Sequence, residues 1–141
     1  MAYKKCDVLL LYRIRAMKSF GILLTFLVAF AGCTAQSDGV KILSQDELST
    51  KLQEDNVVLI DVRTPGEVAS GYIPEADFFI DINGADFDQK ISELDTTKTY
   101  VMYCRSGARS GRAANALVKK GFKNVYNLQG GILAYKGELK Q

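Results

Sequence analysis

The chain has 141 residues, 48% of them hydrophobic and 24% charged, which leaves room for one ordinary globular domain and excludes an intrinsically disordered chain. It contains no histidine, so Cys-His proteases, Ser-His-Asp hydrolases and histidine-ligated zinc sites are excluded. The formal net charge of +2 says little about partners: residues 1–32 hold five of the 18 basic residues (Lys4, Lys5, Arg13, Arg15, Lys18) and one of the 16 acidic ones (Asp7), the remainder is net −2, and no electrostatic case for nucleic-acid binding survives.

From the N-terminus, Lys18 precedes a 13-residue uncharged run from Phe20 to Gly32 that ends in Ala31-Gly32-Cys33. A basic start, a short apolar stretch and small residues before a cleavage point form an export signal. The run falls short of the roughly 20 residues a spanning helix needs. With Cys33 directly after the small pair, the segment resembles a bacterial lipoprotein signal, although Phe30 stands where an aliphatic residue is usual. The resemblance implies that Cys33 is lipidated and becomes the mature N-terminus. Met17-Lys18 makes a compact start, and translation is expected to begin there. The expected division is therefore an upstream segment and signal over 1–32, a tether over 33–39 that is short and polar (Ala35-Gln36-Ser37-Asp38-Gly39), and a domain over 40–141. The expected location is the periplasm or the outer membrane, held by the lipid.

Ser44-Gln45-Asp46-Glu47 has the capping-box pattern and predicts a helix through Gln53. Val57-Val58-Leu59-Ile60-Asp61 is an apolar run of strand length, the mark of a strand buried on both faces. Phe78-Phe79-Ile80-Asp81, Tyr100-Val101-Met102-Tyr103 and Val125-Tyr126-Asn127-Leu128 repeat that character, with helical segments at 86–94 and 109–120. The second of these carries Ala113, Ala116 and Leu117 on one face, with Gly121 placed to stop it. Alternating strands and helices predict a three-layer α/β sandwich with a central, mostly parallel sheet. In such folds ligands gather at the carboxyl ends of strands, where Asp61 and Cys104 both stand.

Of three cysteines, Cys6 lies upstream, Cys33 at the cleavage point, and Cys104 alone in the domain, so the mature domain has no internal disulfide. A solitary thiol is either a small buried hydrophobe or a reactive group. Its surroundings favour reactivity. Cys104-Arg105-Ser106-Gly107-Ala108-Arg109-Ser110 runs from a strand end into a helix, whose first N–H groups and dipole attract anions. Ser106, Gly107 and Ala108 are small enough to turn further N–H groups inward. With Arg105 and Arg109 adding charge, the thiol is expected to ionise more readily than a free one of pKa ~8.5.

Four motifs in order, Ile60-Asp61-Val62-Arg63-Thr64-Pro65-Gly66-Glu67, Gly71-Tyr72-Ile73-Pro74-Glu75-Ala76, Tyr103 to Ser110, and Asn124-Val125-Tyr126-Asn127-Leu128-Gln129-Gly130-Gly131-Ile132, resemble single-domain rhodaneses, which are sulfurtransferases. The likeness covers residues 40–138. Tyr72, Glu75, Val68 and Tyr135 depart from the family's usual residues, all outside the cysteine loop. The resemblance implies an α/β sandwich in which Cys104 is the nucleophile and carries a sulfane sulfur as a persulfide. It implies that the N–H groups of Arg105, Ser106, Gly107, Ala108 and Arg109 cradle the outer sulfur, and that Arg105 and Arg109 bind an anionic donor such as thiosulfate. It further implies a thiol or cyanide-like acceptor and a reaction that needs no metal or cofactor. Asp61, Arg63 and Glu67 read as loop-organising or structural ion pairs, Asp61 accepting from Arg or Ser side chains. Gly130 and Gly131 read as a tight turn into a last helix. Two alternatives stand beside this reading. One is a non-catalytic rhodanese-like binding module. The other is a Cys-based phosphatase or arsenate reductase, whose loop has five residues between cysteine and arginine where this one has four.

Overall fold

The computed structural model describes residues 39–141. The expected signal, the start at Met17 and the lipidation position Cys33 lie outside the described residues. The elements in chain order are β1 (Lys41–Leu43), α1 (Gln45–Lys51), β2 (Val57–Asp61), α2 (Pro65–Ala69), β3 (Phe78–Phe79), α3 (Phe87–Ser92), β4 (Thr99–Tyr103), α4 (Ala108–Lys119) and β5 (Asn124–Leu128), followed by a 3-10 turn at Gly131–Ala134. The strands form one sheet in the order β1-β5-β4-β2-β3, and every pairing is parallel.

Alternation along the central strands divides the core in two. Val58 and Ile60 of β2, Tyr100 and Met102 of β4 and Val125 of β5 pack with Ile91 of α3 and Ala113, Ala114 and Leu117 of α4. Leu59, Val101, Tyr103 and Leu128 face the other way, onto Leu48 of α1 and Ile73. Helices therefore cover both faces, which is why these strands read as continuous apolar runs. Leu59, Ile60, Val101 and Met102 are fully buried, each worth on the order of 1.5–3 kcal/mol against exposure. Among the described residues, no helix is long and apolar enough to cross a membrane.

The edges differ from expectation. Strand β1 was not legible, because only Leu43 of its three residues is buried. At the other edge β3 keeps only Phe78 and Phe79, both exposed, on the ladder, so the expected four-residue strand is shortened. Helices α1 and α3 are each a residue or more shorter than predicted. The box at α1 forms as read, with Glu47 Oε2 accepting from the Ser44 N–H at 3.0 Å. Gly121 ends α4 at φ +97°, its N–H donating to Val118 O.

Strands β2 and β4 are neighbours although β3 lies between them in the chain, with Asp61 opposite Tyr103 in the register. Their carboxyl ends, and that of β5, hold the site.

Candidate active site

Cys104 follows the last residue of β4 and is 1% exposed, on the sheet face that carries α4. The chain turns at Gly107, whose φ of +99° is left-handed, a conformation that suits glycine. Helix α4 begins at Ala108, so the open loop runs from Cys104 to Gly107, and Ala108 and Arg109 already belong to the first helical turn. The Gly107 N–H donates to Cys104 Sγ at 3.2 Å, and the Ser110 hydroxyl approaches Sγ at 3.5 Å. The N–H groups of Ser110 and Ser106 also serve the sulfur.

Burial is the largest single influence on this thiol and raises its pKa, but the Ser110 hydroxyl and the N–H groups of Ser110, Ser106 and Gly107 together outweigh it. The result lies below the usual thiol value. The groups that lower the thiol pKa are thus backbone and hydroxyl groups, with the Arg109 guanidinium also interacting with the sulfur. The N–H donors come from Ser106, Gly107 and Ser110, and Ser110 was missed by the sequence reading. Its signal was position: it is the third residue of α4, and helical side chains lean toward the N-terminus, here toward the strand end.

Asn127 of β5 completes the loop and carried no local signal. Its Oδ1 accepts from Ser110 Oγ at 2.6 Å, and its Nδ2 donates to Gly107 O at 3.0 Å. The segment after β5 closes the other side, with Ile132 N–H donating to Cys104 O at 2.9 Å and Leu133 N–H to Arg105 O at 3.1 Å. Gly130 and Gly131 therefore lead into a single 3-10 turn rather than a full helix, and that turn buttresses the cysteine loop.

Asp61 and Arg63 form a buried pair. Asp61 Oδ1 accepts from the Arg63 N–H at 2.9 Å and Oδ2 from Nη2 at 2.6 Å, while Arg63 Nη2 also donates to Gly71 O at 2.8 Å. This organises the connection through α2, and among the described residues Asp61 accepts from no serine. Glu67 does reach the cysteine loop's helix. Its Oε2 accepts from Arg109 Nη1 at 2.7 Å and its Oε1 from Nη2 at 2.6 Å. The Thr64 N–H and hydroxyl donate to the same carboxylate. The Arg109 contact foremost holds the Glu67 pKa down to about 2, against the opposing effect of burial. Arg109 is thereby engaged as an ion pair, whereas Arg105 is exposed and its side chain has no partner among the described residues. Among those residues no group of three or more Cys, Asp or Glu side chains could hold a metal ion.

A strand-end thiol in a ring of N–H groups, followed by a helix, is the arrangement that the sequence motifs implied, and the rhodanese-like domain family matches residues 44–138. The chain belongs to the rhodanese-like family. Among the relatives of this chain, YtwF of Bacillus subtilis, provisionally named a sulfurtransferase, is 42% identical over 102 residues, covering 72% of this chain and 95% of that protein. A protein of Allochromatium vinosum named sulfurtransferase is 38% identical over 94 residues, 66% of this chain and 85% of that one. A crystal structure of a rhodanese-like domain protein from Staphylococcus aureus superposes with a TM-score of 0.63 at 31% identity, covering 72% of this chain and 97% of that one. The rhodanese fold is thus shared along nearly the whole length of these relatives, and it sets Cys104 at the mouth of the sheet.

Proposed function

We propose that this rhodanese is a sulfurtransferase that moves a sulfane sulfur from an anionic donor such as thiosulfate to a thiol or cyanide-like acceptor through a persulfide on Cys104. The observation that carries the reading is the Gly107 N–H donating to the sulfur at 3.2 Å, with the Ser106 and Ser110 N–H groups acting on it and the Ser110 hydroxyl, shared with Asn127 Oδ1, 3.5 Å away. Such a ring stabilises a thiolate, and it can equally stabilise the outer sulfur of a persulfide anion. In the first step the Cys104 thiolate attacks the outer sulfur of the donor, the donor's S–S bond breaks, and its electron pair leaves with sulfite. In the second, cyanide takes the outer sulfur as thiocyanate and the thiolate returns. Neither step changes the net oxidation state or calls for a base.

A phosphatase reading is disfavoured by Arg109, whose two terminal nitrogens are both occupied by Glu67. A binding module would leave the low thiol pKa without a use. The test is intact mass of the reduced protein: thiosulfate should add one sulfur atom, and cyanide should remove it with one equivalent of thiocyanate. No gain in mass from any sulfane-sulfur donor would leave the binding module as the better reading.

We also propose that residues 1–32 direct export, that Cys33 carries the lipid, and that residues 33–39 tether the domain over 40–141 to a membrane. The support is the basic-apolar-small pattern that ends at Cys33. Two or more acyl chains suffice for stable anchoring. Expressed in a bacterium with a lipoprotein pathway, the full chain should fractionate with membranes, and Cys33→Ser should move most of it to the soluble fraction with activity intact. Full-chain protein found only in the soluble fraction would refute the anchor.

A further inference from the structure

The ion pair between Glu67 and Arg109 alters the charge that a donor meets at Cys104. The carboxylate is fixed by four donors, the Thr64 N–H at 3.2 Å, Thr64 Oγ1 at 3.0 Å, and the two Arg109 nitrogens at 2.7 and 2.6 Å. It is ionised at any pH above about 2. Arg109 in turn feels the charge of Cys104, so Glu67 stands one guanidinium away from the reacting sulfur. The two arginines of the loop therefore contribute one uncompensated positive charge, that of Arg105, and Arg105 is exposed, where solvent screens it. Neutralising the remaining anions falls to the N–H ring, which is built to hold a single sulfur.

We infer, on the basis of the sulfurtransferase reading above, that Glu67 is a specificity-determining residue whose fixed carboxylate favours a donor of at most one negative charge, an organic persulfide, over doubly charged thiosulfate. The reasoning is Coulombic. Repulsion by a fixed carboxylate scales with donor charge, so the carboxylate penalises a dianion about twice as much as a monoanion at the same distance. Specificity obtained by repelling the wrong ligand needs no contact to the right one. The charge gathered at the site during transfer differs accordingly. With thiosulfate, the Cys104 thiolate attacks the outer sulfur, the S–S bond breaks, and sulfite leaves with the electron pair, a total of three negative charges throughout. With R–S–SH, the thiolate attacks the outer sulfur, R–S⁻ leaves with the electron pair, and the protein gains –S–SH, a total of one.

The experiment compares initial rates of sulfur gain on Cys104, read by intact mass at low ionic strength, from thiosulfate and from 2-hydroxyethyl persulfide, whose organic part is uncharged. Glu67→Gln keeps the capping geometry of α2, because glutamine serves that position as well as glutamate does, and removes the charge together with one of the two oxygen acceptors that face Arg109. The ratio of thiosulfate rate to persulfide rate should rise about tenfold in this variant, the scale of one unit charge in a partly desolvated site. In Glu67→Asp, which keeps the charge, the ratio should stay within about twofold of the parent, and added salt should narrow the gap between parent and Glu67→Gln. A ratio unchanged in Glu67→Gln, whether both rates hold or fall together, makes Glu67 a structural tie and overturns the proposal. A parent protein that takes sulfur from neither donor overturns the sulfurtransferase reading instead.

Discussion

Cys104→Ser is expected to abolish sulfur loading, with no gain in mass from thiosulfate and turnover to thiocyanate reduced by at least about 10⁴-fold, the scale of losing a nucleophile. A serine hydroxyl stays protonated near neutral pH, and in this domain no histidine is present to take its proton. The ring that favours a thiolate cannot make up so large a gap, because its donors already work against the burial of a 1%-exposed residue. The fold should remain. The smaller hydroxyl can still accept from the Gly107 N–H and exchange with Ser110, so the midpoint of thermal unfolding should move by only a few degrees, about 1 kcal/mol or less. The pairing of these two results decides the matter: a Cys104→Ser protein that is folded and still transfers sulfur would remove Cys104 from the chemistry.

The parts legible in the sequence were those whose cause is local. Val57–Asp61 and Thr99–Tyr103 announced themselves because both faces of these central strands meet helices, and the cysteine loop because small residues beside a strand end permit one kind of turn. What the sequence hid depends on distant partners. Strand β1 has a single buried residue and left no pattern, while β3, read over 78–81, keeps only its two exposed phenylalanines on the ladder. Ser110 and Asn127 are 17 positions apart and meet only because β5 lies beside β4. Glu67 and Arg109, 42 positions apart, each read as a sensible residue, one structural and one for binding a donor. Their contact joins the two roles, since the guanidinium expected to receive the donor is already held by a carboxylate.

Gly131→Ala is expected to damage both stability and activity far more than its one added methyl suggests. Gly131 sits at φ +56°, where a side chain costs roughly 1–2 kcal/mol. A Cβ there would also overlap Cys104 O and lie 2.8 Å from Arg105 C and O. Those are backbone atoms of the loop itself, so no side-chain rotation can relieve the contact. The turn must move away, which strains or breaks the Ile132 N–H to Cys104 O and Leu133 N–H to Arg105 O bonds, each worth about 1 kcal/mol and more when a buried group is left unpaired. Together these amount to roughly 3–5 kcal/mol, an unfolding midpoint lower by more than about 10 °C for a domain of this size. Gly66→Ala is the matched control, because a Cβ at Gly66 meets nothing within 4 Å, and inside α2 the alanine should leave stability unchanged or raise it by up to about 1 kcal/mol. The loss of activity should exceed the loss of folded protein, since the displaced atoms belong to the strand end that aims Cys104 into its ring of N–H groups. Measured well below the midpoint, Gly131→Ala should load sulfur at least about tenfold more slowly than the parent and titrate its thiol at higher pH, because a displaced loop withdraws donors from the sulfur. A variant that is destabilised yet retains the parental loading rate and thiol titration would show that the turn after β5 supports the fold without shaping the cradle.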